Sequence, residues 1–201
     1  MGEFVVAVDV GTGSARAGVY DRHGTLIGRA ARPIAMHRPD GLNAEHSSAD
    51  IWAAVVGSVA EALAGAAIDP ARVDAIGFDA TCSLVFVDRD GQPLSIAANG
   101  EPGWDTIAWL DHRAIDQARA MTATRLEALA YVGGTVSPEM QLPKIMWVKQ
   151  NLPEVWARVG AIVDLADYLT FRATGNRARS ACTLTAKWNY LNHQASGWDA
   201  P

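Results

Sequence analysis

The chain has 201 residues, 49% of them hydrophobic, and a formal charge of −5, enough apolar side chain for the core of one domain or slightly more. It has no basic stripe with interleaved aromatics, which argues against a nucleic-acid partner, and no apolar run long enough to span a bilayer or signal-peptide pattern at its start, which argues against a membrane one. Cys82 and Cys182 lie far apart with no Cys-x-x-Cys pair or Cys/His cluster, so no such metal site is expected and the reducing cytoplasm is the expected compartment.

Phe4 to Val8 is apolar on both alternating faces, the pattern of a strand buried on both sides, and Asp9 stands at its end. Gly11 and Gly13 follow, expected to admit positive φ and a close backbone approach to a ligand. Ala15, Ala17 and Val19 alternate with Arg16, Gly18 and Tyr20 in a second strand, closed by the turn signal Asp21-Arg22-His23-Gly24. Leu26 to Met36 reads as a third strand, so the glycine loop belongs to a β-hairpin. Residues 39–48 form a loop, and Ser47 or Ser48 caps a helix from Ala49 to about Ala64 with Ile51, Trp52, Val55, Val56, Val59 and Leu63 on one stripe.

Asp69-Pro70 breaks the chain before a strand from Val73 to Phe78 that rises to Asp79. Leu84 to Val87 is another strand, and Asp88-Arg89-Asp90-Gly91 closes a hairpin. After a loop over 95–105, Ile107 to Leu110 reads as a short strand leading to Asp111-His112-Arg113. Helices are expected over 114–121 and 124–131, the second stopped by Gly133-Gly134. A further helix runs from Gln141 to Asn151 with Pro143 in its first turn, and Pro153 starts the next element. A strand over 161–165 and a helix over 167–173, ended by Gly175, follow. Hairpins first and helices with strands later imply an α/β fold with a mixed sheet. The aromatic-rich stretches Trp188-Asn189-Tyr190-Leu191 and Gly197-Trp198-Asp199-Ala200-Pro201 show no closing element, so the domain is expected to be incomplete at Pro201.

The stretch Asp9-Val10-Gly11-Thr12-Gly13-Ser14-Ala15-Arg16 carries the chemistry. A P-loop needs Gly-x-x-x-x-Gly-Lys-Ser/Thr, which is absent, and a dinucleotide fingerprint needs a third glycine where Arg16 stands. The amides of Gly11 and Gly13, with the hydroxyls of Thr12 and Ser14, can donate to phosphate oxygens, and Arg16 adds a planar cation. An ordinary hairpin with Asp9 as an Asx-turn residue is the alternative.

This hairpin resembles the first phosphate motif of the actin/hexokinase/Hsp70 superfamily, and further stretches resemble the FGGY family of carbohydrate kinases. They are Glu45-His46 followed by Ala49-Asp50-Ile51-Trp52; Ile76 to Ser83; Trp109 to Ala114; and Pro138 to Lys144 with Trp147 behind it. The last two, with Asp164-Leu165-Ala166-Asp167-Tyr168-Leu169 and Lys187-Trp188, are similar to the D-ribulokinase-like branch. The resemblance implies a ribonuclease-H-like N-terminal, sugar-binding domain whose ATP-binding partner domain and general-base aspartate lie beyond residue 201. It implies ATP and Mg²⁺ as cofactors, with Asp9 holding Mg²⁺ and Gly11, Thr12, Gly13 and Arg16 facing the phosphates. Thr81, Cys82, Ser83, Asp111 and Glu139 are the implied sugar contacts, with His112 and Arg113 orienting Asp111. Cys82 as an inert thiol, Asp111 as a helix N-cap and Glu139 as a first-turn acid stay open. The implied reaction is phosphorylation of a ketopentose such as D-ribulose. Kinases for xylulose, ribitol or glycerol and a non-catalytic sugar-binding domain are the alternatives, and unpaired strand edges leave a homo-oligomer open.

Overall fold

A computed structural model describes residues 3–198 of the chain; Asp199, Ala200 and Pro201, in the expected unfinished end, lie outside the described residues. The strands are β1 (Phe4–Val10), β2 (Ser14–Asp21), β3 (Leu26–Pro33), β4 (Glu45–His46), β5 (Val73–Ala80), β6 (Leu84–Asp88), β7 (Thr106–Ile107) and β8 (Val159–Asp164). The helices are α1 (Ser48–Gly65), α2 (Ile115–Ala123), α3 (Gln141–Asn151), α4 (Pro153–Trp156), α5 (Leu165–Thr174) and α6 (Ala181–Lys187). The chain divides into two compact units, residues 3–36 with 46–81 and residues 37–45 with 82–198. No helix among the described residues is long and apolar enough to cross a membrane.

The first unit is a four-stranded sheet in the order β3-β2-β1-β5. β1 pairs antiparallel with β2 and parallel with β5, the mixed sheet expected from the sequence. Only one face of β1 is buried: Val6, Val8 and Val10 point into the core, whereas Val5 is 44% exposed and Ala7 and Asp9 are also exposed. This corrects the expectation of two-sided burial. α1 covers one face, and its inward stripe is Ile51, Ala54, Val55, Ser58, Ala62 and Leu63, with Val56 turned outward. Ser47 caps α1, its hydroxyl accepting from the Asp50 amide.

β3 approaches α1 closely at Gly28. A Cβ there would lie 2.6 Å from the Ala62 carbonyl oxygen and 2.8 Å from the Ala66 Cβ. Backbone cannot yield as a flexible side-chain tip can, so Gly28→Ala is expected to destabilise the protein by about 1–3 kcal/mol through overpacking. Urea denaturation checks this, with Gly65→Ala, where a Cβ meets nothing within 4 Å, leaving the midpoint unchanged or raised.

The second unit holds the sheet order β4-β7-β6-β8. β6 is its buried centre and pairs antiparallel with β7 and β8. Leu84, Phe86, Leu94, Ile96, Ile107, Val148 and Trp188 form its core. The expected hairpin after β6 closes through an isolated bridge, Val87 to Pro93, flanked by the Asp88 amide donating to the Gln92 carbonyl and the Leu94 amide donating to the Phe86 carbonyl. The expected strand over 107–110 shrinks to Thr106–Ile107; the next two carbonyls turn to the Lys144 ammonium instead. The helix expected over 124–131 is a 3₁₀ segment, Glu127–Val132, preceded by Arg125 at φ 56°. α3 has the expected bounds, and Gly133 and Gly175 end their elements in the left-handed region. α6 was not expected, although Ser180 caps it by accepting from the Cys182 amide.

Candidate functional site

In the first unit the bend between β1 and β2 feeds a strand, not a helix, and is closed by the Gly11 amide donating to the Ser14 carbonyl at 3.0 Å. Neither Gly11 nor Gly13 has a positive φ, which corrects the reason expected for these glycines. At Gly11 the reason is space: a Cβ would lie 2.5 Å from Arg16 Nη2, so the guanidinium rests against the bend. A Cβ at Gly13 would meet nothing within 4 Å. Thr12 is half-buried in the same bend.

Strand register sets the charges. Asp9 is opposite Arg16 across the β1–β2 ladder, and the two side chains pair at 3.1 Å while both stay more than half exposed. Asp79 is opposite Asp9 across the parallel β1–β5 ladder, a residue not singled out from sequence. Its signal was an acid ending an apolar strand, as Asp9 does, but the pairing of β5 with β1 is invisible to local pattern. Asp9, Arg16 and Asp79 line one open cleft of about 550 Å³, with Tyr20 and Arg29 further along it. The Thr81 amide donates to the Val10 carbonyl, continuing the pairing past the end of β5. The described residues hold no group of three or more His, Cys, Asp or Glu fit for a metal. Exposed carboxylate oxygens nonetheless suit Mg²⁺, which takes one or two carboxylates and fills its remaining positions with water and phosphate.

In the second unit, the sugar-contact candidates separate into surface and interior. Cys82 is half-buried with its carbonyl accepting from Gln141 Nε2 at 3.0 Å. Ser83 is fully buried, its hydroxyl accepting from the Trp109 amide. Asp111, expected to reach a sugar hydroxyl, is fully buried with both oxygens engaged. It accepts from the Ala44 amide at 2.6 Å, the Arg113 amide at 2.9 Å and the Arg113 guanidinium. Arg113 also donates to Glu45 at 2.6 Å and to the Ile96 carbonyl, and lies over the Trp147 ring. Asp111 therefore acts as the hub that fixes the loop, not as a helix cap, since α2 is preceded by Ala114 without a side-chain bond. Glu139 precedes α3 and so is not in its first turn; it pairs with His112 Nε2 at 3.1 Å at a half-exposed rim.

Two buried residues of α3, not assigned a role from sequence, support these loops. Lys144 Nζ donates to the carbonyls of Ala108 and Trp109 at 3.0 and 2.9 Å, and burial pulls its pKa down to about 8. Gln141 Nε2 is shared between Cys82 O and Asp164 Oδ1, 2.8 Å away, and Asp164 also accepts from the Trp188 indole. Burial raises the Asp164 pKa, with those two hydrogen bonds opposing the shift.

Residues 4–201 match the N-terminal domain of the FGGY family of carbohydrate kinases. An FGGY carbohydrate kinase domain-containing protein of Homo sapiens is 44% identical over 197 residues, covering 98% of this chain and 35% of that protein. D-ribulokinase YDR109C of Saccharomyces cerevisiae is 39% identical over 199 residues, covering 98% and 28%. The chain thus spans about a third of the length of the relatives it matches. A ligand-bound xylulose kinase from Lactobacillus acidophilus superposes with a TM-score of 0.81 at 20% identity, covering 98% of this chain and 38% of that one. That likeness shows the actin/hexokinase-like fold expected from the hairpin. With the family match spanning nearly every residue and the fold agreeing, the chain belongs to the FGGY family of carbohydrate kinases and carries its N-terminal domain.

Proposed function

We propose that this chain is the N-terminal, sugar-binding part of an ATP-dependent kinase that phosphorylates a terminal hydroxyl of a ketopentose, D-ribulose foremost. The observation that carries the reading is the convergence of Asp9, Arg16 and Asp79 on one cleft at the end of a strand–bend–strand unit. Phosphoryl transfer needs alignment and charge neutralisation more than covalent help, and this bend offers both. The Thr12 and Gly13 amides and the Thr12 hydroxyl orient the terminal phosphates, Gly11 shapes the bend that presents them, and Arg16 balances their charge. Asp9 holds Mg²⁺, with Asp79 beside it; that ion, when bound, neutralises phosphate oxygens.

In the second unit, Cys82 and Glu139 present side chains to the sugar hydroxyls, while Ser83 and Asp111 hold the contacting loops from behind. The general-base aspartate and the nucleotide domain belong to the further length that the relatives possess. D-ribulokinase among those relatives supports ribulose as substrate. The free thiols Cys82 and Cys182 support a reducing, cytoplasmic setting.

The test is a substrate panel on an enzyme carrying this domain at the relatives' full length. D-ribulose is expected to give a higher kcat/KM than D-xylulose, ribitol or glycerol, and a preference for glycerol overturns the assignment. Asp9→Asn is expected to lower kcat tenfold or more with sugar affinity unchanged, measured by coupled ADP release. The 201-residue chain alone is expected to show no turnover, and turnover by it would refute the placement of the catalytic base.

A further inference from the structure

Gln141 leaves a polar atom idle in the interior. It opens α3 and is fully buried, and its Oε1 has no hydrogen-bond partner among the described residues. A buried acceptor left unpaired is costly and rare in native proteins. Turning the amide over would not relieve it. Nε2 donates to the Cys82 carbonyl at 3.0 Å and to Asp164 Oδ1 at 2.8 Å, so a flipped amide would set an oxygen against two acceptors. Both amide hydrogens are thus committed, and what the nitrogen holds decides how the side chain lies.

These bonds belong to a longer chain. Trp188, buried just past α6, donates its indole N–H to Asp164 Oδ2. Asp164 ends β8 and is buried too, and its other oxygen accepts from Gln141. A buried carboxylate is kept only where donors meet it, so neither bond is lightly given up. Gln141 then reaches the Cys82 carbonyl. The next residue, Ser83, is held separately: its carbonyl accepts from the Leu165 amide at 2.9 Å and its hydroxyl from the Trp109 amide.

We propose that Trp188, Asp164 and Gln141 are positioning residues for sugar recognition, acting through the Cys82 carbonyl to hold the half-buried Cys82 thiol in one place. The proposal rests on the reading of Cys82 as a sugar contact. A group that places a sugar contact acts on binding in ground and transition state alike, so its loss appears in KM more than in kcat. A polar cluster that only stabilised the core would lower stability without that split.

Cys182 is the only other cysteine, so the 201-residue chain carrying Cys182→Ser reports on Cys82 alone. Alkylation of Cys82 by iodoacetamide is expected to quicken about tenfold in Gln141→Met, which loses both bonds. Asp164→Asn keeps the shape but accepts at only one of its two positions, and is expected to quicken alkylation as well. The double variant is expected to react no faster than Gln141→Met, because both changes act through one carbonyl. In an enzyme of the relatives' full length, each single variant is expected to raise KM for D-ribulose about tenfold, with kcat falling far less and KM for ATP unmoved. Unchanged alkylation in both variants, effects that add in the double variant, or a loss confined to kcat overturns the proposal. Collapse of both variants overturns it too, as the mark of a purely structural cluster; if Gln141→Met alone fails to fold, Asp164→Asn decides. Absence of turnover on every sugar sinks the kinase reading instead and leaves the alkylation result standing.

Discussion

Replacing Arg113 by methionine is expected to lower the unfolding free energy by about 3–5 kcal/mol, because it strips the compensation from two buried carboxylates at once. The Arg113 side chain is 1% exposed, and both Asp111 and Glu45, which it bridges, are 0% exposed. Breaking a buried ion pair from one side costs far more than replacing it whole, since the surviving charge keeps its desolvation penalty without its partner. Glu45 retains the Ala98 amide and His37, and Asp111 retains the Ala44 amide, but neither keeps a guanidinium. Urea unfolding at neutral pH reads the loss. The triple variant Glu45→Gln, Asp111→Asn, Arg113→Met is expected to recover part of it, and a loss under 1 kcal/mol in the single variant would show that the network is not the anchor of the 108–113 loop.

Stability is expected to rise as pH climbs from about 8 to about 10.5, and Lys144 is the cause. Burial lowers its pKa from 10.5 to about 8 in the folded chain. Below pH 8 the group is charged in both states, so the penalty for burying the ammonium is fully present. Between the two values the unfolded chain binds the proton and the folded chain does not, so the penalty fades; above 10.5 it is gone. At about 1.4 kcal/mol per unit, the gain is about 3 kcal/mol. The readout is the difference between the parent and Lys144→Met, in which every contribution that the two proteins share cancels. That variant is expected to lack this rise while losing the two hydrogen bonds to Ala108 and Trp109 at every pH. Parallel curves for the two proteins would refute the buried-ammonium account.

The elements that local pattern specifies were legible in the sequence. The hairpin from Phe4 to Asp21 follows from alternation and glycine, and α3 from Pro143 at its start and Pro153 beyond its end. What the sequence concealed depends on distant partners. Asp111 reads as a free acid until the Ala44 amide and Glu45, more than sixty positions earlier, are folded against it. Asp79 gains meaning only when β5 is laid beside β1. The exposure of one face of β1 follows from where α1 packs, and the positive φ expected at Gly11 gave way to a contact with a side chain five residues on.

The bend at Gly11 is close to electrically self-quenched while Asp9 and Arg16 face each other. Under the proposed kinase reading, an incoming triphosphate would have to compete with Asp9 for the Arg16 guanidinium. A divalent cation on the carboxylate would free that guanidinium, so nucleotide and metal would be captured best as a single preassembled parcel.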